Sequence, residues 1–300
     1  VYVALKEQGF TNSEIAEQLK TSEASVRRGL AKAKYRPHLI PAKFIKDMAV
    51  VLDKPITMDV RKDGPGAITA DWHIPLTNFN LVNEFLDHAI DIGATNWLGI
   101  AGDFWNQDFF SQFDFKQADA DFPRELFAGS EVIRRVLEVF DQVVLTYGNH
   151  DARMLKVIRY AVDFETTMRW CFRDLEPELL KRIKVSNLDY FCVDTPRGQY
   201  RLAHPRAYNA VALTNARKLA AKHHAHIITG HSHHTAIGHD VSGKFTVAEI
   251  GGFFDADKTQ YLQRSTTFPV WQNGYGFIDA EGFLIVEGQG WSSRVDRRIA

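Results

Sequence analysis

The sequence predicts a layered α/β domain with a small all-α unit in front of it, and three observations carry that expectation. From Gly66 onward, short apolar runs that read as strands alternate with segments of helical spacing. Hydrophobic residues make up 45% and charged residues 24% of the 300, a globular composition in a chain long enough for one large core and an appendage. Residues 1–36 differ in charge: seven Lys and Arg against four Glu leave that stretch at +3 and the remainder at −4. The formal net charge of −1 argues against a surface that coats nucleic acid or anionic lipid as a whole. No apolar run approaches the ~20 residues of a membrane span and no signal peptide opens the chain, so a cytoplasmic protein without a membrane partner is expected. Two cysteines, Cys171 and Cys192, exclude a disulfide framework and a thiolate zinc site; both are expected as buried thiols.

In residues 1–36, Gly9 is placed to end a first helix in a left-handed conformation. Thr11 and Glu14 then form a capping box, with Phe10 and Ile15 as a hydrophobic staple. Ile15, Ala16 and Leu19 make one apolar face. Ser22 caps a further helix with Val26, Leu30 and Ala33 on one side and Arg27, Arg28, Lys32 and Lys34 largely on the other. Two short helices joined by a tight turn, the second one basic, follow the plan of a helix-turn-helix. The run from Gly9 to Leu19 with Ser25-Val-Arg-Arg resembles the sigma-factor and homeodomain-like class, which would place Ser25, Arg27, Arg28 and Lys32 at DNA. A helical hairpin used for oligomerisation or packing is the alternative.

Residues 37–65 read as a linker, interrupted by Pro37, Pro41 and Pro55, with a possible helical piece near Lys43–Leu52 and a loop at Lys62–Gly66. The main domain, 66–300, follows. Ala67–Asp71, Trp97–Ala101 and Gln142–Tyr147 read as its first strands. Phe79–Ile92 carries Phe79, Val82, Phe85, Leu86 and Ala89 on one helical face, and Glu131–Phe140 reads as a second helix. Tyr200–Ala203, Ile227–Thr229, Phe245–Ile250, Tyr275–Ile278 and Phe283–Val286 are later strands, with a helix over Val211–Lys222.

Five of these strands end in polar clusters: Asp71-Trp-His73, Gly102-Asp103, Gly148-Asn-His-Asp151, His204, and Gly230-His-Ser-His233. Ligand sites of open α/β sheets lie beyond the carboxyl ends of strands, so the five are expected to converge. Each is weak alone; their joint occurrence, each after an apolar strand, is the signal. Eight of the 12 histidines lie between His204 and His239, and five of the 12 fall on these clusters.

Over most of residues 66–235 the chain resembles the calcineurin-like metallophosphoesterases, whose motifs D-x-H, G-D, G-N-H-D, a single H and G-H-x-H appear here in order. The resemblance implies a four-layer sandwich, two mixed β-sheets face to face with helices outside, in which the strands after Thr246 suit the second sheet. It implies two divalent metal ions about 3.5 Å apart. Asp71, His73, Asp103 and His233 would hold one and Asp103, Asn149, His204 and His231 the other, with Asp103 as bridge. Imidazole and carboxylate donors without thiolate suit manganese, iron or zinc, manganese being the first expectation. Such a pair would activate water near neutral pH and neutralise charge on the phosphoryl oxygens. By resemblance, His150 is catalytic beside Asp103, stabilising the transition state or protonating the leaving oxygen. Where many phosphatases of the family carry an Asp three residues after the bridging Asp, this chain has Asn106; Asp151 or a main-chain carbonyl would then orient His150. Arg153 and Arg206 are candidate phosphate contacts, with surface salt bridges as the alternative.

The loop after Asp103 holds Phe104, Trp105, Phe109, Phe110, Phe113 and Phe115. These suit a base-stacking platform, a lid or a dimer interface. Trp72 is expected as packing. The sequence thus points to a metal-dependent phosphodiesterase or nuclease acting on DNA, similar to the DNA-repair exonuclease branch, possible as a homo-oligomer. The alternatives are a phosphatase or small-nucleotide phosphoesterase using residues 1–36 for docking or assembly, and a DNA-binding regulator with an inert core.

Overall fold

The computed structural model describes residues 1–33, 53–112, 121–259 and 271–287. The helical piece expected near Lys43–Leu52, together with Phe113 and Phe115, lies outside them. The chain divides into two compact units, Val1–Asp53 and Lys54–Ala300.

The first unit has three helices, α1 (Tyr2–Glu7), α2 (Asn12–Gln18) and α3 (Glu23–Lys32). Gly9 is left-handed at φ 95°, and Thr11 and Glu14 close the capping box: Glu14 N donates to Thr11 Oγ1 and Thr11 N to the Glu14 carboxylate. Ser22 caps α3 by accepting from Ser25 N. Ile15, Ala16, Val26 and Leu30 form a small core with Tyr2, Val3, Leu5 and Phe10 against it. A Cβ at Gly29 would run into the Tyr2 ring, so α1 packs closely on α3. The expected faces need trimming: Leu19 and Ala33 are exposed, both being C-caps where the helical register ends. Arg27 pairs with Glu23, and Arg28 donates to Ser25 Oγ.

The second unit opens with β1 (Thr57–Asp59) and α4 (Val60–Asp63), so the last part of the segment read as linker belongs to the core. Next come β2 (Gly66–Thr69), α5 (Phe79–Asp91), β3 (Trp97–Ala101), α6 (Phe122–Val139) and β4 (Val143–Thr146). After them run α7 (Ala152–Val157), α8 (Phe164–Cys171), α9 (Pro177–Leu180), β5 (Ile183–Val185), β6 (Tyr190–Thr195) and β7 (Gly198–Ala203). The rest is α10 (Thr214–His223), β8 (His226–Thr229), β9 (Thr235–His239), β10 (Thr246–Ile250), β11 (Gly274–Asp279) and β12 (Gly282–Glu287). The strands build two six-stranded mixed sheets, β12-β11-β2-β3-β4-β5 and β1-β6-β7-β8-β10-β9. In the first, β2 to β5 are parallel and β11 is antiparallel to both its neighbours. The last hairpin therefore returns to the first sheet and only β10 joins the second, a correction to the expectation for strands after Thr246.

Period-two alternation makes the layers. On β3 and β4, Leu98, Ile100, Val143 and Leu145 face the helices and pack with Leu81, Val82, Phe85, Ile133 and Val136. Trp97, Ala101 and Val144 face the other way, against Phe191, Val193, Leu202 and Ile228 of the second sheet. The Phe191 ring covers Gly99 so closely that a Cβ there would collide with it. On the far side, α10 covers β8 and β10 through Ala216, Ala220, Ile227 and Val247. Helices thus lie outside both sheets, the four-layer arrangement expected.

Three expected helices differ from the sequence reading, α10 starting at Thr214 rather than Val211, and α7, α8 and α9 are additional to it. Asn78 caps α5 by accepting from Leu81 N, and Phe79, in the first turn, is 48% exposed. Helix α6 starts nine residues earlier than expected, capped by Asp121 with Pro123 in its first turn. Gly129 and Ser130 mask its periodicity, and Gly129 is required where the Trp105 ring crosses the helix. Cys171 and Cys192 are free and buried. No helix among the described residues is long and apolar enough to cross a membrane.

Candidate metal centre

Register brings the polar clusters side by side. Thr69 pairs with Ile100, Ala101 with Thr146 and Ala203 with Thr229, so β2, β3 and β4 of one sheet and β7 and β8 of the other end together. The clusters therefore converge from two sheets rather than from one. Beyond those ends the chain turns sharply: Asp71, His73, Asp103, His231 and His233 all have φ between 46° and 76°. Non-glycine residues rarely adopt this left-handed backbone, and where they do the surrounding structure imposes it, often at functional sites. Two motif glycines are required by close approach. A Cβ at Gly148 would run into the Asp103 carboxylate, and one at Gly230 would lie 2.6 Å from Asp71 Oδ2.

Three sets of donor atoms gather here, Asp71–His73–His233, His73–Asp103–His150 and Asp103–His204–His231, each within 4.8 Å. Asp71 Oδ1 lies 3.1 Å from His233 Nε2 and 3.6 Å from His73 Nε2, and the two imidazole nitrogens are 3.3 Å apart. Asp103 Oδ2 lies 3.2 Å from His204 Nε2, which is 3.1 Å from Asn149 Oδ1. Main-chain donors lock the carboxylates, His231 N to Asp71 Oδ2 at 2.8 Å and His150 N to Asp103 Oδ1 at 2.8 Å. His204 Nδ1 donates to the Ala101 carbonyl at 2.9 Å, which directs Nε2 toward Asp103. All seven proposed ligands are thus in one place.

The electrostatics suit cations. Asp71 and Asp103 are buried, and among the described residues no lysine or arginine pairs with either. Burial opposes ionisation of Asp71, but His233 and His73 overcome it and hold its pKa below the ordinary value. Asp103 is likewise held low, because His204, by its charge and its hydrogen bond, outweighs the burial. Burial alone would lower the His204 pKa; the adjacent Asp103 instead raises it to about 10. His231 is pushed down to about 4 by burial and by His204. Of the imidazoles around the two buried carboxylates, His204 is the one held protonated, while burial lowers the pKa of His233, whose Nδ1 is buried without a hydrogen-bond partner. Carboxylate, imidazole and amide oxygen donors in this setting fit divalent cations of intermediate hardness.

His150 is oriented by a main-chain carbonyl. Its Nδ1 lies 2.9 Å from Asn106 O and 3.1 Å from Asn106 Oδ1; the carbonyl only accepts, so Nδ1 carries the proton. Arg153 Nη2 lies 3.2 Å from His150 Nε2, while Nη1 donates to Asn106 O and to Asp108. Burial, reinforced by His73 and Arg153, holds the His150 pKa well below ordinary despite the Asp103 charge. The ring is therefore neutral and an acceptor at Nε2, and proton donation to a leaving oxygen would first require protonation there. Asp151 has another job, accepting from Asp103 N (2.7 Å), Trp105 N (2.9 Å) and Gly148 N (2.9 Å). Burial and the Asp103 charge raise its pKa to about 7. Sequence spacing carries no signal for that role, since it depends on which main-chain groups the turns leave unpaired.

Arg206 donates to Tyr147 Oη at 3.4 Å, and the Tyr208 ring stands edge-on 6.4 Å from His231, a neighbour the motifs did not indicate. Phe254 and Trp271 wall His233, with ring centroids 4.7 Å away in both cases. Trp72 is buried and stacked on Phe253. Phe104 and Trp105 are buried as well, so neither is available as a stacking platform.

No family model and no curated protein matches the chain. Among solved structures it is similar to a Vps29 single mutant from Entamoeba histolytica, at 13% identity and TM-score 0.40 over 74% of this chain and 91% of that one. It is similar to a conserved uncharacterized protein, a predicted phosphoesterase, from Streptococcus pneumoniae, at 11% identity and TM-score 0.33 over 74% and 97%. It is also similar to the TT1561 protein of Thermus thermophilus, at 12% identity and TM-score 0.39 over 74% and 98%.

Proposed function

We propose that this protein is a binuclear-metal-dependent phosphoester hydrolase, and specifically a phosphodiesterase or nuclease acting on DNA. The observation that carries the first part is Asp103, whose buried carboxylate gathers with His73 and His150 on one side and with His204 and His231 on the other, a place from which it could bridge two cations. Asp71, His73 and His233 would complete one set and Asn149, His204 and His231 the other. Manganese is the first expectation, with iron or zinc as alternatives. Such ions, when bound, supply the Lewis acidity that activates water for attack on phosphorus.

The chain's own groups do the remaining work. Main-chain N–H groups hold Asp71 and Asp103 in place, and Asp151 fixes the two turns that carry Asp103 and Asn149. Neutral His150 accepts from Arg153 and so aims a guanidinium at the rim of the site. Arg153, with Arg206 beside Tyr147, would offer cations to the non-bridging oxygens of a phosphodiester. Two buried thiols suit a reducing compartment such as the cytoplasm.

The +3 unit of residues 1–36, with its capped α3 bearing Ser25, Arg27, Arg28 and Lys32, favours DNA over a small phosphoester. Incubation with Mn²⁺ and single- or double-stranded DNA, beside bis(p-nitrophenyl) phosphate, tests the reading. Metal-dependent cleavage of both classes is expected, and deleting residues 1–36 should reduce DNA turnover while sparing the small diester. Hydrolysis of small esters alone would favour the small-nucleotide phosphoesterase, and no hydrolysis at all would sink the assignment.

A further inference from the structure

A row of aromatic rings begins beside the candidate site. Asp108, which holds Arg153 against His150, opens the short turn Asp108–Phe110. Phe109 projects from that turn, 55% exposed, with its ring edge-on to Phe110 at 5.2 Å. Phe110 meets Phe122 of α6 at 4.8 Å, and Phe122 lies nearly parallel to Trp170 of α8 at 6.0 Å and 26°. Trp170 is 45% exposed and carries the Arg173 guanidinium over its ring, 4.9 Å from the centroid. Phe122 is buried and Phe110 half-buried, so they act as spacers and supports for the two exposed faces.

We propose that this row is a stacking track for the bases of single-stranded nucleic acid, with Phe109 nearest the reacting phosphate and Trp170 farther along the strand. The inference rests on the phosphodiesterase reading and names its substrate class. Its chemistry is that of single-strand binding: flat π-faces accept any base, and a guanidinium on an indole adds cation–π attraction and a phosphate partner. Arg173 has a carboxylate neighbour, Asp174, at 3.8 Å, and exposed Arg124 lies on the same first turn of α6 as Phe122. A second copy of the chain would need a continuous apolar face. Here the exposed rings are set apart by half-buried Phe110 and buried Phe122, with Asp108, Asp121, Arg124 and Arg173 on the same elements.

Binding of a fluorescein-labelled oligo-dT to the full chain, read by anisotropy in the presence of a chelator, tests the track without turnover. Phe109→Ala and Trp170→Leu each raise the Kd about tenfold or more, in line with ~1–3 kcal/mol per stacked base. Trp170→Phe keeps the affinity, Arg173→Gln weakens it less, and all retain wild-type melting and wild-type hydrolysis of bis(p-nitrophenyl) phosphate with Mn²⁺. Unchanged affinity in the Phe109→Ala, Trp170→Leu double variant overturns the proposal. So does a wild type that binds no single strand, or a double variant that only loses a dimer in sedimentation. A wild type that binds through the row but hydrolyses no diester overturns the phosphodiesterase reading and not the track.

Discussion

The two sheets bring different chemistry to the same place. The first ends in both carboxylates, Asp71 and Asp103, together with His73, Asn149 and His150. The second ends in imidazoles only, His204, His231 and His233. Each carboxylate reaches across or along the site to a histidine of the second sheet, Asp71 to His233 at 3.1 Å and Asp103 to His204 at 3.2 Å. Neither sheet holds a complete donor set, so the site exists only when the layer of Trp97, Val144, Phe191 and Ile228 between them is packed. The carboxylates belong to one sheet and the histidines His204, His231 and His233 to the other, which ties ion binding to the integrity of the fold.

Removing the carboxylate common to both donor sets should break that division most completely. Asp103→Ala is expected to lower metal-dependent hydrolysis at least ~100-fold, the scale for loss of a central electrostatic group. Titration calorimetry should then show neither ion bound with wild-type affinity; a variant as active as wild type would remove Asp103 from the site. Gly148→Ala attacks the same sheet through sterics. The added methyl meets the Asp103 carboxylate and should cost about 1–3 kcal/mol on overpacking, read as a lower melting temperature together with weaker metal binding.

The second sheet can be tested one donor at a time. His231→Ala and His233→Ala are each expected to lower the bound metal by one ion per chain with little change in melting, and loss of both ions from either variant would mean that the sets are not separable. The His204 pKa, raised to about 10, sets a pH dependence. An ion taking Nε2 must displace a proton below that pH, so affinity should rise with pH and binding should release protons, measurable by calorimetry in buffers of different ionisation enthalpy.

The smallest effect belongs to Glu125 of α6, which accepts from Gln107 N and whose pKa burial raises to about 8. The folded chain keeps that proton when the unfolded chain, at an ordinary 4.5, has lost it. Stability therefore falls as pH rises from about 4.5 to 8, and Glu125→Gln should flatten that part of a denaturation-versus-pH curve.

Much of this arrangement is legible in the sequence where an apolar run meets a polar stop. Strand Trp97–Ala101 is legible residue for residue, since Asn96 and Gly102 bracket five buried positions. Strands such as Tyr190–Thr195 and Thr235–His239 escaped because polar Asp194 and an exposed alternation at Ile237 and His239 blur the pattern. The destination of the last hairpin also escaped, because pairing partners are set by tertiary packing. At the site, the cluster-bearing turns could be read, but the three N–H groups gathered by Asp151 and the hold of Arg153 on His150 could not. Phe104 and Trp105 read as loop aromatics and are core, because the turn after Asp103 dives under α6 before it returns to the surface.

The left-handed backbone at Asp71, His73, Asp103, His231 and His233 has a consequence for how this sequence can drift. Glycine or asparagine would sit more comfortably at those positions, and replacing either carboxylate would relieve a buried charge. Mutations that erase the donors are therefore among the few core changes the fold itself would tolerate or welcome. A population screened only for thermal robustness should shed these residues early, and their persistence would record selection for what they bind.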